Sequence, residues 1–290
     1  MRLAAYLYRG EPGVGLVSDD LQRLRPLQLP AAQRVLGALP IVELLAQGQP
    51  LPPTGEALPL GEVTLTAPLP KPRRNIFCVG KNYYAHAHEF AGSGFDSSAK
   101  AGDVPAEPIL FSKVPESVIA TGEAIVIPAG VSDAIDYEAE LAVVIGQGGK
   151  GIRAADAMRH VWGYTIINDV TSRDWQIRHH QWLMGKSFDT FCPMGPWLVS
   201  ADEVNGEDTR VRCWVSGELR QDASTRGLIF GIPRLIETLS AGITLHPGDV
   251  IATGTPLGVG IGFKPPKYLK AGDVVRIEID GVGVLENPVR

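Results

Sequence analysis

Asp136, Glu138 and Glu140 alternate along Asp136-Tyr137-Glu138-Ala139-Glu140-Leu141-Ala142-Val143-Val144-Ile145. The apolar end of this stretch, closed by Gly146, reads as a buried strand. Extended backwards, the strand places all three acids on one face and Tyr137, Ala139 and Leu141 on the other. Neighbouring carboxylates would then lie ~7 Å apart. At an effective dielectric near 20, each adjacent pair repels by roughly 2 kcal/mol. Such a row needs a protonated acid, a cover of arginine and lysine, or a divalent cation. Carboxylate oxygens alone favour Mg2+ or Mn2+ over zinc. The plainer alternative is an edge strand whose acids face water.

A second set of reactive side chains lies in Gly80-Lys81-Asn82-Tyr83-Tyr84-Ala85-His86-Ala87-His88-Glu89. If this segment is helical, His86 and Glu89 share a face, and a carboxylate beside an imidazole suits a general base. On a strand, His86 and His88 would pair instead as metal ligands, but the lack of β-branched residues favours the helix. As an exposed polar turn, the segment would hold idle histidines. Asp169 ends the strand expected over Trp162–Asp169, where it offers either a third metal ligand or a cap for the next turn. Lys186 follows a polar, aromatic segment.

The elements that must position these groups read mainly as strands. Gly (33) and Pro (23) are frequent among the 290 residues, favouring short strands and turns over long helices. Leu3–Tyr8 and Val14–Val17 flank a Gly10–Gly13 turn as a hairpin. Ile41–Leu45 reads as a short helix and Val63–Ala67 as a strand. The Pro-rich stretch from Ala67 to Pro72 marks a boundary, giving a small N-terminal domain over 1–70 and a main domain over 71–290. Further strands are expected at Asn75–Val79, Pro108–Phe111, Ala124–Ile127, Trp197–Val199 and Val211–Val215. A helix is expected over Ile229–Leu239, capped by Gly242. Residues 91–107 show no apolar periodicity and read as a disordered segment or, from their place beside His86 and Glu89, as a lid. Leu245–Ile251 and Leu269–Val275 repeat Leu-x-x-Gly-Asp-Val-(Ile/Val), each a tight turn feeding a strand. After the first copy, Gly254, Gly258 and Gly260 open a loop whose amides can reach a bound anion.

Other functions fit less well. The net charge of −5 gives no reason to expect nucleic acid or an anionic membrane as partner. No apolar run approaches the ~20 residues of a membrane span, and no signal peptide is visible. Cys78, Cys192 and Cys213 are widely spaced, as suits reduced thiols in a cytoplasmic protein. Gly146-x-Gly148-x-x-Gly151 matches a dinucleotide fingerprint, but three acids precede it and alternating βαβ units are lacking. Gly185-Lys186-Ser187 resembles a P-loop, yet His180 stands where that motif needs glycine.

Five motifs, in order, resemble the fumarylacetoacetate hydrolase family. They are Phe77-Cys78-Val79-Gly80-x-Asn82-Tyr83-x-x-His86-x-x-Glu89, Asp136-Tyr137-Glu138-x-Glu140-Leu141 and Asn168-Asp169-x-Thr171-x-Arg173-Asp174-x-Gln176. The other two are Gly185-Lys186-Ser187-x-Asp189 and the run from Pro247 to Gly260. The resemblance implies a mainly β, α+β fold, a mixed β-sandwich roll, acting as a homodimer. It also implies Mg2+ or Mn2+ on Glu138, Glu140 and Asp169, with Asp136 behind them. Lys186 would face a developing enolate, Arg173, Gln176 and Thr255 would contact or order a small 2-oxo acid, and His86 with Glu89 would activate water. The expected reaction is C–C hydrolysis of a 2,4-dioxo acid of acylpyruvate or fumarylpyruvate type, through a pyruvate enolate. The alternatives on the same site are oxaloacetate decarboxylation or tautomerisation, isomerisation or decarboxylation of 2-hydroxy-diene-dioates, and ureidoglycolate lysis. A non-catalytic 2-oxo acid binder and a dinucleotide oxidoreductase are the rivals from other classes.

Overall fold

The structure, a computed structural model, describes residues 1–91 and 104–290, without the side chains of Phe90 and Ala91. Most of the expected lid therefore lies outside the described residues. The chain opens with β1 (Arg2–Tyr8), β2 (Glu11–Val17) and β3 (Arg23–Pro26), followed by helices α1 (Ala31–Arg34) and α2 (Leu39–Ala46). The β1–β2 turn is tighter than expected: Tyr8 faces Glu11, and Arg9 (φ 51°) and Gly10 (φ 83°) both lie in the left-handed region. Such a pair twists with the flanking strands, and Glu11 and Pro12 belong to β2.

Strands β4 (Leu58–Pro59), β5 (Thr64–Thr66) and β6 (Ile76–Gly80) lead to α3 (Tyr84–Ala91), which bears His86 and Glu89. Then come β7 (Ile109–Lys113), β8 (Val118–Ile119), β9 (Ile135–Asp136) and β10 (Ala139–Ile145). Residues 124–127, expected as a strand, form only an isolated bridge from Ile125 to Val289. The sheet continues through β11 (Val161–Asn168), β12 (Thr171–Ser172) and β13 (Cys192–Ser200). A large sheet runs β4-β3-β2-β1-β13-β11-β10-β16-β6-β7, where β16 is Val250–Ala252. All its pairings along that path are antiparallel except β16–β6, which makes the sheet mixed. Residues 1–70 extend it, with Arg2 opposite Val199 and Leu3 opposite Leu198.

A second sheet of four strands, β14 (Arg210–Val215), β15 (Glu218–Ser224), β17 (Val274–Ile279) and β18 (Gly283–Pro288), covers one face. Val211, Cys213, Val275 and Ile277 pack there with Leu141, Val143 and Ile145. Ala142 and Val144, of opposite phase on β10, pack on the other face with Ile76, Cys78, Ile41 and Val42. Burial on both faces explains the unbroken apolar run. With β11 and β16 on its two sides, β10 is central, which removes the edge-strand alternative.

Among the helices, α4 is Ala154–Ala157, α5 Arg173–Arg178, α6 Leu183–Lys186 and α7 Ile232–Gly242. Helix α7 starts three residues later than expected, because Gly231 precedes it and Pro233 tolerates only a first-turn position. Gly242 is its last residue rather than a left-handed cap, and the chain leaves extended at Ile243 (φ −108°). The two sequence echoes fold alike. Gly248 and Gly272 take φ of 83° and 94°, and the Asp249 and Asp273 carboxylates accept from the amides of His246 and Lys270. Among the described residues no helix is long and apolar enough to cross a membrane. Cys78, Cys192 and Cys213 are free and buried.

Candidate metal centre and active site

The acid row is not one continuous strand. Pairing breaks at Tyr137 and Glu138, so Asp136 pairs with Thr171 in β9–β12 while Ala139 pairs with Asn168 in β10–β11. Asn168 holds the break, its Oδ1 accepting the Glu138 amide at 3.0 Å. Glu138, Glu140 and Asp169 are buried, each offering an oxygen within 4.8 Å of the others. Asp136 stands apart from that cluster and is fully enclosed. It accepts from the amides of Tyr137 (2.9 Å), Gly260 (2.6 Å) and Ile261 (3.0 Å) and from Arg173 Nε (2.9 Å).

Cations cover most of the row, as one reading of its repulsion required. Arg173, on the first turn of α5, bridges Asp136 and Glu138 through ion pairs of 2.8 Å each. The Lys186 ammonium, at the end of α6, meets Glu138 at 2.8 Å and Asp169 at 2.7 Å. Burial raises the Glu138 carboxyl, yet Lys186 and Arg173 outweigh it and bring it down to about 2. Burial likewise opposes charge on Lys186, but Asp169 and Glu138 hold its pKa above the ordinary value. Glu140 differs: burial, then Asp169 and Glu138, push it well above the carboxylate range. Its hydrogen-bond donor among the described residues is the Gly254 amide at 2.8 Å. Three converging hard oxygens, one of them on a carboxyl that two neighbouring acids crowd, fit a divalent cation of Mg2+ or Mn2+ type.

His86 is buried on α3, and its Nδ1 lies 3.1 Å from Glu89 Oε2. A carboxylate only accepts, so Nδ1 carries the hydrogen, and in the neutral imidazole Nε2 is then the basic nitrogen. The Gly258 amide donates to Glu89 at 3.2 Å, and a Cβ on Gly262 would fall 1.8 Å from Glu89 Oε1. The glycine-rich loop thus does direct its amides at anions, but the anions are the protein's own Glu89, Asp136 and Glu140. A bound ligand is not needed to explain those glycines.

His86, Glu138, Glu140, Arg173, Gln176, Lys186 and Thr255 line one cavity, together with Gly80, Lys81, Phe111 and Trp182. Its free volume is about 10 Å³, roughly what one water needs. Of the expected substrate contacts, Arg173 has its nitrogens engaged by Asp136, Glu138 and Gln176 Oε1 (3.2 Å). The Thr255 hydroxyl accepts from Gln221 Nε2 at 2.8 Å. A larger cleft of about 540 Å³ lies elsewhere, lined by Glu203, Asp208, Arg210, Asp222 and Asp280. Its Asp222, Asp208 and Asp280 pair with Arg210, Arg226 and Arg212, and among the described residues no converging metal-type cluster of acids falls there.

Sequence reasoning gave no site role to Lys113, Gln221 or Asn82. The Lys113 ammonium is wholly buried, 2.7 Å from Asp169 and within reach of the Val170 carbonyl (3.0 Å) and that of Lys186. Its phase on β7, shared with Ile109 and Phe111, was the available signal. Gln221 accepts the Ala139 amide at 3.0 Å and so ties β10 to Thr255. Asn82 links the exit of β6 to the Thr253 carbonyl at 2.7 Å.

Residues 75–290 match the family model described as fumarylacetoacetate (FAA) hydrolase C-terminal. The chain is 50% identical over 231 residues to the oxaloacetate tautomerase YisK of Bacillus subtilis, covering 79% of this chain and 74% of that one. Among solved structures it resembles the fumarylacetoacetate hydrolase of Exiguobacterium antarcticum (TM-score 0.83, 36% identity, 100% and 99% covered). It also resembles the 2-hydroxyhepta-2,4-diene-1,7-dioate isomerase of Mycobacterium marinum (TM-score 0.79, 33% identity, 100% and 98% covered).

Proposed function

The chain belongs to the fumarylacetoacetate hydrolase family, and from that premise we propose that it interconverts the keto and enol forms of a 2-oxo acid of oxaloacetate type. The observation that carries the proposal is the cavity itself. It sets a base, His86 oriented by Glu89, on the same wall system as a charged ammonium, Lys186, and three converging carboxylates. Enolisation needs those groups and nothing more. The His86 Nε2 takes a proton from C3 and the released electron pair forms the C2–C3 double bond. A proton from solvent adds to the 2-oxygen and completes the enol while the His86 imidazolium returns its own to solvent, with the Lys186 ammonium beside that oxygen offsetting its growing charge. A divalent cation on Glu138, Glu140 and Asp169 would supply Lewis-acid polarisation of the 2-keto group when bound. Arg173 and Lys113 hold Glu138 and Asp169 in place.

The expectation of hydrolysis rested on the His86–Glu89 pair as a water activator. The same pair serves proton transfer at C3, so it does not separate the two chemistries, and the 50% identity to a tautomerase favours the simpler one. The test follows loss of enol absorbance from oxaloacetate with Mg2+ or Mn2+, beside cleavage of an acylpyruvate. Tautomerisation should have the larger kcat/KM, and His86→Ala should lower it by about 100-fold or more. Faster acylpyruvate cleavage than tautomerisation would return the site to the hydrolases.

A further inference from the structure

We propose that Gln221 is a positioning residue: it fixes the Thr255 hydroxyl as a hydrogen-bond donor into the cavity, so that this wall selects an anionic oxygen. This rests on the reading above, that the cavity takes a 2-oxo acid, and adds what sets one of its contacts. Gln221 is the one buried residue of β15, and it is polar. A buried primary amide is costly unless its hydrogen bonds are made. Its Oε1 accepts the Ala139 amide at 3.0 Å, and its Nε2 donates to the Pro256 carbonyl and to Thr255 Oγ1, both at 2.8 Å.

The partners themselves dictate the direction of these bonds. The oxygen and nitrogen of an amide side chain are told apart by what they meet. A backbone N–H only donates and a carbonyl only accepts, so Ala139 and Pro256 fix which end of Gln221 is which. Nε2 carries two hydrogens, and with one on Pro256 the other goes to Thr255. The Thr255 oxygen is therefore an acceptor toward Gln221, which leaves its own hydrogen to be used elsewhere. Among the described residues that hydrogen has no acceptor. Thr255 is 3% exposed and lines the cavity with Glu138, Glu140 and Lys186, so the open direction for its hydrogen is the cavity. The hydroxyl is also held beside the carboxylates. Gln221 is tied to Ala139, which stands between Glu138 and Glu140, and the Gly254 amide next to Thr255 donates to Glu140. A substrate carboxylate or enolate oxygen accepts such a hydrogen, whereas an N–H group of a ligand would meet a hydrogen already facing it.

Calorimetry with oxalate and Mg2+ tests this without turnover, because oxalate does not enolise. Thr255→Val should weaken oxalate binding by about 10–100-fold, the size of a hydrogen bond to a charged group, while Thr255→Ser should stay within a few-fold of wild type. Gln221→Glu keeps the shape but exchanges the donor for an acceptor. Once ionised, the new carboxylate draws the Thr255 hydrogen toward itself. The loss relative to wild type should therefore grow as pH rises from about 5.5 to 9, the range in which a buried carboxyl titrates. Looser packing would give a loss that ignores pH. In the Thr255→Val background Gln221→Glu should cost nothing further. Gln221→Met removes the donor without adding charge and serves if Gln221→Glu does not fold; its loss should likewise vanish in that background. Unchanged oxalate affinity in Thr255→Val, a Gln221→Glu ratio flat in pH, or equal losses from a Gln221 variant with and without the hydroxyl would each overturn the inference. None of these touches the tautomerase reading, which the turnover of oxaloacetate by wild type decides separately.

Discussion

Asp136 and Glu140 stand four residues apart in one acidic row, both buried, yet their surroundings are opposite. Asp136 receives three backbone amides and the Arg173 guanidinium. Glu140 receives the Gly254 amide, and two other acids crowd it. At the Asp136 end the protein supplies its own counter-charge, so that charge is structural. At the Glu140 end the charge is left incomplete and the carboxyl is pushed up, which a divalent cation would reverse. Burial alone does not tell the two acids apart. The number of donors around each does.

The largest expected effect comes from replacing the incomplete end. Glu140→Gln should weaken Mg2+ or Mn2+ binding by at least about 100-fold, since even outer-sphere changes around a metal cost 10–100-fold. Turnover should fall with it, while the metal-free protein should be no less stable than wild type, because a crowded acid has been neutralised. Calorimetric metal titration and urea unfolding in EDTA check both halves. Retained metal affinity would remove Glu140 from the ligand set.

Asp136→Asn attacks the completed end. It leaves Arg173 buried without its main partner, a change that costs about 3–5 kcal/mol in comparable buried pairs. The loss should appear in urea unfolding with or without metal, the opposite pattern to Glu140→Gln. If Asp136→Asn instead spared stability and abolished metal binding, the contrast between the two ends would be wrong.

Sequence patterning made this contrast only half legible. Alternation placed all three acids on one face, and the repulsion among them demanded a counter-charge. His86 and Glu89 could be singled out by their three-residue spacing on an expected helix and Asp169 by its place at a strand end, whereas Lys186 gained a role only through the family resemblance. Alternation alone could not show the interruption at Tyr137 and Glu138, because the break is imposed by Asn168 accepting the Glu138 amide across 30 residues. Lys113 read as the polar end of a strand, and its burial depends on Asp169, 56 residues away. The strand expected at Ala124–Ile127 failed for a related reason: among the described residues it bridges Val289, near the other end of the chain, at the single position Ile125. Local pattern predicts which residues are apolar neighbours, and long-range pairing decides which charges meet.

Two glycines let the ends be perturbed through their backbone donors. A Cβ on Gly260 would lie 2.7 Å from Asp136 Oδ1 and 2.4 Å from the Lys267 carbonyl. Gly254, at φ 107°, would bring one 2.8 Å from Asn82 Cβ. Each alanine variant should cost roughly 1–3 kcal/mol of stability from overpacking. Of the two, Gly254→Ala should also alter metal affinity, because its amide, and not that of Gly260, donates to Glu140. Equal metal affinity in the two variants would show that the Gly254 contact does not set the geometry of that carboxylate.

The smallest effect is a slope with pH, and its sign separates the two kinds of acid. In metal-free protein, Glu140 binds its proton more tightly folded than unfolded. As pH rises above its ordinary value of 4.5, the unfolded chain loses that proton first, so stability falls, by at most about 1.4 kcal/mol per pH unit. The fall ends once pH passes the raised folded value. Glu138 has the reverse sign: its folded carboxyl is already ionised down to about 2, so its contribution is present above 4.5 and lost as pH falls toward 2. The difference in Tm between wild type and Glu140→Gln in EDTA isolates the first of these. It should widen in favour of the variant as pH rises from 4.5, and saturating Mg2+ should reverse it by stabilising only the wild type. A difference flat in pH would mean that Glu140 already has a counter-charge in the metal-free protein, and the two ends of the row would then be alike.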